Sequence, residues 1–121
     1  KYAGSNNVSE VAWYGYYDED DKNRTITKEE TKPVGQKKAN GYGLYDMSGN
    51  VYEWCWDYYG MYEPKSNVDP LGPLTGDYRI LRGGDWRSSK TQARVASRYY
   101  VAPRLKTPYI GFRIVRSIVD E

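Results

Sequence analysis

The stretch Asn40-Gly41-Tyr42-Gly43-Leu44-Tyr45-Asp46-Met47-Ser48-Gly49-Asn50-Val51-Tyr52-Glu53-Trp54 decides how this chain is read. Gly41, Gly43 and Gly49 punctuate tight turns where φ can be positive. The following residues, 51 to 59, alternate too irregularly for a helix, and Trp54 and Trp56 flank Cys55 as they would in a strand. Further on, Tyr78 to Arg82 reads as a short strand ending in Gly83-Gly84, with Trp86 behind it. Arg94 to Arg98 reads as another, and Ile110 to Val115 closes with Phe112 and Ile114 on one face. Residues 79–82, 94–98 and 110–115 are expected as neighbouring antiparallel strands. Trp54, Trp56, Trp86 and Phe112 are the expected core.

Between these segments the chain is punctuated. Pro64, Pro70, Gly72, Pro73 and Gly76 make residues 60–77 an irregular loop, and two prolines do the same for residues 99–109. Upstream, Val8, Val11, Trp13 and Tyr14 follow an Asn-Asn pair, as a turn feeding a short helix or strand. Residues 18–32 form a charge run with little to bury, expected as a solvated loop without EF-hand spacing.

Composition narrows the function. At 121 residues the chain is a single domain, residues 1–121. Fourteen Tyr and four Trp against one Phe, with a mean hydropathy of −0.89, fit a loop-rich fold cored by rings and short strands. No run approaches the roughly 20 apolar residues a membrane span needs. The chain opens on Lys1-Tyr2 without an initiator Met or signal peptide, as a processed product or fragment would. No histidine is present, which removes Ser-His-Asp and Cys-His catalysis and His-ligated metals. The single Cys55 excludes an intrachain disulfide and dithiol chemistry. Any metal would be a hard cation held by oxygens.

Charge is unevenly placed. Arg79, Arg82, Arg87, Lys90, Arg94, Arg98, Arg104, Lys106, Arg113 and Arg116 share their segment with one acid, Asp85. Two readings stay open: a basic face for an acidic partner, or arginines paired internally with carboxylates of the acidic remainder.

Three motifs in order carry a family resemblance: the stretch quoted above, then Arg79-x-Leu81-Arg82-Gly83-Gly84-x-Trp86, then Gly111-Phe112-Arg113-x-x-Arg116. With Val11-Ala12-Trp13-Tyr14 and Pro33-Val34-Gly35, the chain resembles the formylglycine-generating-enzyme (sulfatase-modifying-factor) family over about residues 1–117. The resemblance implies an α+β, C-type-lectin-like fold, loop-rich with a small antiparallel sheet. It covers the C-terminal half of a usual family domain, which implies that the N-terminal half lies outside this chain.

The departure from the family matters as much. Its enzymes carry two copper-binding cysteines shortly after the Gly-Gly pair, whereas here Asp85 to Ala93 contains none. A thiolate is the nucleophile and soft-metal ligand, and Ser or Ala cannot replace it. The chain is therefore expected to be no enzyme and to require no cofactor. Cys55 reads as a small buried hydrophobe. The resemblance also implies a calcium site: Asn50 and Glu53 side chains, with carbonyls around Ser48 and Val51. The alternative is that Asn50 caps a turn and Glu53 pairs with an arginine.

Residues 85–109 set Trp86, Arg94, Ala96, Arg98 and Pro103 as framework among runs without periodicity. This resembles the variable region of diversity-generating-retroelement target proteins, here spanning residues 79–117. In those proteins adenine-directed mutagenesis varies surface positions, and Ser, Tyr, Asp and Thr are reachable from Asn codons. Tyr and Ser also suit binding loops. The expected ligand-binding residues are Asp85, Arg87, Ser88, Lys90, Gln92, Ser97, Tyr99, Tyr100, Leu105, Lys106 and Tyr109, facing solvent together. Trp86, Arg94, Arg98 and Phe112 should point inward beneath them. The expected partner is a protein or glycan, displayed to a cell surface or virion exterior under the retroelement reading. Two alternatives stand: a fragment or inactive relative of a formylglycine-generating-type oxidase, and a nucleic-acid binder. The last is weakest, because six of the ten basic residues fall on framework positions.

Overall fold

The computed structural model describes residues 1–62, 68 and 70–118. Helix α1, Val8–Val11, is a single turn whose N-cap Asn7 accepts from the Ser9 amide. Strands β1 (Tyr52–Tyr58), β2 (Arg79–Arg82), β3 (Arg98–Val101) and β4 (Ile110–Gly111) form one sheet in the order β3-β2-β1-β4. β1 pairs antiparallel with β2 and β2 antiparallel with β3, but β4 runs parallel to β1. The result is a small mixed sheet with little helix, where a wholly antiparallel one was expected. β4 sits beside β1, not beside β2 or β3.

Residues 94–98 correct the expected strand. Turn bonds capture this backbone, Arg94 N–H donating to Thr91 O and Ser97 N–H to Arg94 O, while Val95 N–H reaches across to Lys1 O. The strand starts at Arg98 and takes in Tyr99 to Val101, which the two later prolines had assigned to a loop. The irregular character expected of 60–77 holds for 60–62, 68 and 70–77; residues 63–67 and 69 lie outside the described ones.

The core is not where the aromatic residues suggested. Trp86 is buried, but Trp54 is half-buried, Trp56 is 82 % exposed and Phe112 is 77 % exposed. β4 pairs over two residues only, so beyond Gly111 the alternation of Phe112 and Ile114 no longer addresses a packed face. Instead Tyr2, Val8, Val11, Ala12, Tyr14 and Ala93 cluster at the N-terminal end. Ile26, fully buried, anchors the supposed solvated run; the buried Asp21 there accepts from the Tyr14 hydroxyl at 3.0 Å.

Two glycines show why the motifs need them. Gly49 has φ 77°, and a Cβ there would lie 2.5 Å from Trp13 O. Gly84 has φ 75°, and its Cβ would meet Ala93 Cα at 3.1 Å and Ser88 Oγ at 3.3 Å.

Candidate functional site

The motifs that stand apart in sequence are bonded to one another in space. Gly49 N–H donates to Gly83 O, Asn50 N–H to Trp13 O, and Trp86 N–H to Asn50 O, each at 2.8 Å. Gly15 and Tyr16 in turn donate to Ser88 O and Trp86 O. The Asn50 side chain bridges to Lys32, its Oδ1 accepting from the amide at 2.9 Å and its Nδ2 donating to the carbonyl at 3.0 Å. Asn50 itself has φ 67°, a region Asn tolerates better than most residues.

On this scaffold the segment from Asp85 onward divides in two. Asp85 and Ser88 point inward, at 1 % and 4 % exposure, and correct the expectation that both face solvent. Asp85 Oδ1 accepts from the amides of Arg87 (2.8 Å) and Ser88 (3.0 Å), and Ser88 Oγ accepts from the Asp85 amide. This Asx-type loop needs a buried carboxylate to satisfy its own backbone donors. The Arg87 guanidinium covers Asp85 Oδ2 from outside at 2.6 Å and lies 3.2 Å from the Tyr109 ring centroid.

The other expected residues are exposed or half-exposed. Lys90, Gln92, Tyr99, Tyr100, Leu105 and Lys106 are exposed, while Arg87, Ser97 and Tyr109 are partly covered. Tyr99 and Tyr100 are neighbours on edge strand β3, so they stand on opposite faces of it. Tyr99 stacks on Tyr52 at 5.5 Å, and Tyr100 stacks on Tyr59 at 3.9 Å with Tyr78 against its edge at 5.3 Å. Since Tyr99 and Tyr100 are themselves 6.1 Å apart, the rings form a continuous belt around the sheet edge rather than a patch on one face. Tyr52, Tyr59 and Tyr78 were missed; their pairing emerges only from strand register.

Among the framework residues, Trp86 points inward, Arg98 is half-buried, and Arg94 and Phe112 are exposed, correcting the latter pair. Arg94 lies in the turns before β3, where its Nε donates to Thr91 O.

The proposed calcium ligands are also redistributed. Ser48 is fully buried, its Oγ accepting from Ala3 N–H, and Asn50 is spent on Lys32. Glu53 is forked by Arg113, as the alternative reading required, and Val51 is half-buried beside it. As arranged, Asn50 and Glu53 aim at hydrogen-bond donors rather than at a common point. A different oxygen is free. Asp46 is 7 % exposed; its Oδ2 accepts from Gly35 N–H at 2.8 Å, while the buried Oδ1 has no hydrogen-bond partner among the described residues. Asp46, Gly49, Val51 and Glu53 line one cavity of about 430 Å³. Asp46 stands in the opening motif, and its acidic side chain between two turns was the available signal.

Of the ten basic residues, Arg87 and Arg113 are the two in ion pairs among the described residues, and only Arg113 reaches an acid of the other segment. Internal pairing therefore explains little of the charge asymmetry.

The profile of the Sulfatase-modifying factor enzyme 1-like domain matches residues 1–118. The chain belongs to this family. A formylglycine-generating enzyme of Thermomonospora curvata is 40 % identical over 91 residues, covering 69 % of this chain and 30 % of that enzyme. The serine/threonine-protein kinase pkn1 of Chlamydia caviae is 46 % identical over 93 residues, 74 % of this chain but 15 % of the kinase. The structure of Treponema denticola variable protein 1 superposes with a TM-score of 0.76 at 35 % identity, covering 90 % of this chain and 38 % of that one. This sulfatase-modifying-factor-like chain thus spans well under half the length of the relatives it matches. Among its described residues no helix is long and apolar enough to cross a membrane.

Proposed function

We propose that this chain is a non-catalytic ligand-binding domain of the C-type-lectin-like kind, diversified in the manner of retroelement variable proteins. Its binding surface is the rim of β3 and the loops flanking it. The observation that carries the reading is the tyrosine belt at β3, together with exposed Lys90 and Gln92 on a loop whose own polar groups are satisfied from within by Asp85 and Ser88, and exposed Leu105 and Lys106 between β3 and β4. Such a division lets exposed side chains change while the loop keeps its shape, and rigid tyrosines provide contact area at low entropic cost. Similarity to a variable protein supports it. A protein or glycan suits this surface better than nucleic acid, because Arg87 and Arg113 are spent on Asp85 and Glu53.

The test is binding to a panel of glycans and bacterial surface proteins, with Tyr99→Ala and Tyr100→Ala alongside the parent. Loss of affinity of about tenfold or more with retained folding supports the reading. Partner affinity unchanged in both variants sinks it. In the source DNA, a near-repeat of codons 79–117 beside a reverse transcriptase gene is expected.

The second reading, an inactive relative or fragment of a formylglycine-generating-type oxidase, rests on the shared family. Here the segment after Gly84 packs Ala93 and Ser88 against that glycine and offers copper no thiolate. Turnover of a sulfatase-derived cysteine peptide with copper and reductant, above a no-enzyme control, would establish this reading instead.

The family's calcium chemistry would require a shifted donor set, in a cavity that the Arg113 guanidinium also lines. Asp46 Oδ1 is a buried anion oxygen without a hydrogen-bond partner among the described residues, and the carbonyl-bearing turn at Gly49 and Val51 with Glu53 shares its cavity. A hard cation held there would supply structural order and no reaction step.

A further inference from the structure

A larger cavity of about 790 Å³ lies elsewhere, over the face of the sheet that carries Cys55, Ile80, Arg82 and Arg98. That volume is within the roughly 300–1,000 Å³ of small-molecule sites. Its walls are apolar and uncovered: Met61, Tyr62, Leu71 and Leu74 line it at 90, 73, 75 and 89 % exposure. Buried Ile80 forms part of its floor. Single exposed apolar residues are ordinary, but a concave group of them marks a binding site.

The polar groups give the ligand its sign. Arg82 and Arg98 stand directly opposite each other in the β2–β3 register, an arrangement of like charges that disfavours the sheet. Their hydrogen-bond partners among the described residues are neutral. Arg82 Nη1 donates to Val95 O and Ser97 O at 3.1 Å, and Arg98 Nη1 donates to Gly60 O at 2.9 Å. The Tyr62 ring lies 3.9 Å from the Arg98 guanidinium carbon. Glu53 faces Arg82 in register, yet both its oxygens go to Arg113. Asp57 also lines the cavity, but four residues along β1 from that level, roughly 13 Å in extended chain, and beneath Gly72.

We propose that this cavity binds a small amphipathic carboxylate, its acid on Arg82 and Arg98 and its apolar body against Ile80, Met61, Leu71 and Leu74. Planar guanidiniums suit a carboxylate, and among the described residues the pair has no carboxylate partner. Arg98 is the one lining residue on β3, and none of Tyr99, Tyr100, Lys90, Gln92, Leu105 and Lys106 lines the cavity, so this site stands or falls apart from the function proposed above.

Decanoate and decanol are the probes, titrated by calorimetry, with N-ethylmaleimide modification of Cys55 reporting occupancy of the cavity it lines. Decanoate should bind saturably one-to-one and slow Cys55 modification, with decanol about tenfold weaker, the loss expected of charge-assisted hydrogen bonds. Arg98→Gln should bring decanoate to the affinity of decanol. Should that variant fail to fold, Leu74→Glu decides, because a carboxylate on an exposed side chain leaves the fold intact and repels the probe. Absence of decanoate binding, equal affinity for decanol, unchanged Cys55 reactivity, or decanoate binding undiminished by Leu74→Glu each overturns the proposal. Tyr99→Ala should leave decanoate binding unaltered.

Discussion

Arg113 holds Glu53 in a two-pronged grip across sixty residues of sequence, Nε to Oε2 at 3.1 Å and Nη2 to Oε1 at 2.8 Å. The same Nη2 also donates to Tyr45 O at 2.7 Å, so one guanidinium ties the opening motif, β1 and the closing motif together. Because the side chains keep 32 % and 21 % exposure, solvent screens the pair and its contribution is modest. Arg113→Lys, which keeps the charge and loses the fork, should cost about 1 kcal/mol. A double-mutant cycle with Glu53→Gln, read by urea denaturation, should give a coupling energy of similar size. Additive single losses would show that the grip is incidental.

Asp85 separates scaffold from surface within one short segment. Asp85→Ala leaves the buried Ser88 amide without its carboxylate partner and is predicted to cost about 3 kcal/mol. Lys90→Ala and Lys106→Ala, on exposed side chains, should stay within about 0.5 kcal/mol. Thermal melts of the three variants test the contrast. Equal losses at all three positions would remove the basis for a tolerant loop on a fixed frame.

Calcium gives the Asp46 site a direct readout. At a calcium concentration of about 100 times Kd, mass action adds about 2.7 kcal/mol to the folded state. Asp46→Asn should abolish that increment without destabilising the calcium-free protein, since it replaces a buried carboxylate oxygen that has no partner among the described residues. Ser48→Ala, whose hydroxyl serves Ala3, should keep the increment. A parent melting temperature indifferent to calcium would leave the cavity without a cation role.

Tyr14 should make stability fall in alkali. Burial, followed by its hydrogen bond to Asp21, pushes the phenol well above the ordinary value of 10.0. A group whose pKa is raised by folding contributes stability that is complete below the unfolded value and is lost as pH rises through the folded one. Above about pH 10 the unfolded chain ionises while the folded one does not, and stability falls by up to about 1.4 kcal/mol per pH unit. Tyr14→Phe should lose about 1 kcal/mol at neutral pH and show a shallower decline above pH 10. Parallel curves for parent and variant would contradict the assignment.

Sequence by itself determined the family, the missing thiol pair, the glycine positions and the stretch around β1. These are local: a glycine at positive φ beside a neighbouring carbonyl, or the lack of a nucleophile, is written into the residue itself. Residue spacing also placed β2, because Arg79 to Arg82 ends at a glycine pair that must bend. Tertiary structure decided what faces inward. Phe112 and Trp56 are as apolar as any core residue, yet the parallel seating of two-residue β4 and the exposed flank of β1 leave them in water. Asp85 and Ser88 look like surface residues, yet backbone donors brought together by the Gly83-Gly84 bend draw them inside. The tyrosine belt and the facing arginines have the same origin. Register between strands far apart in sequence sets which side chains meet, and that register depends on long-range hydrogen bonds that no local pattern encodes.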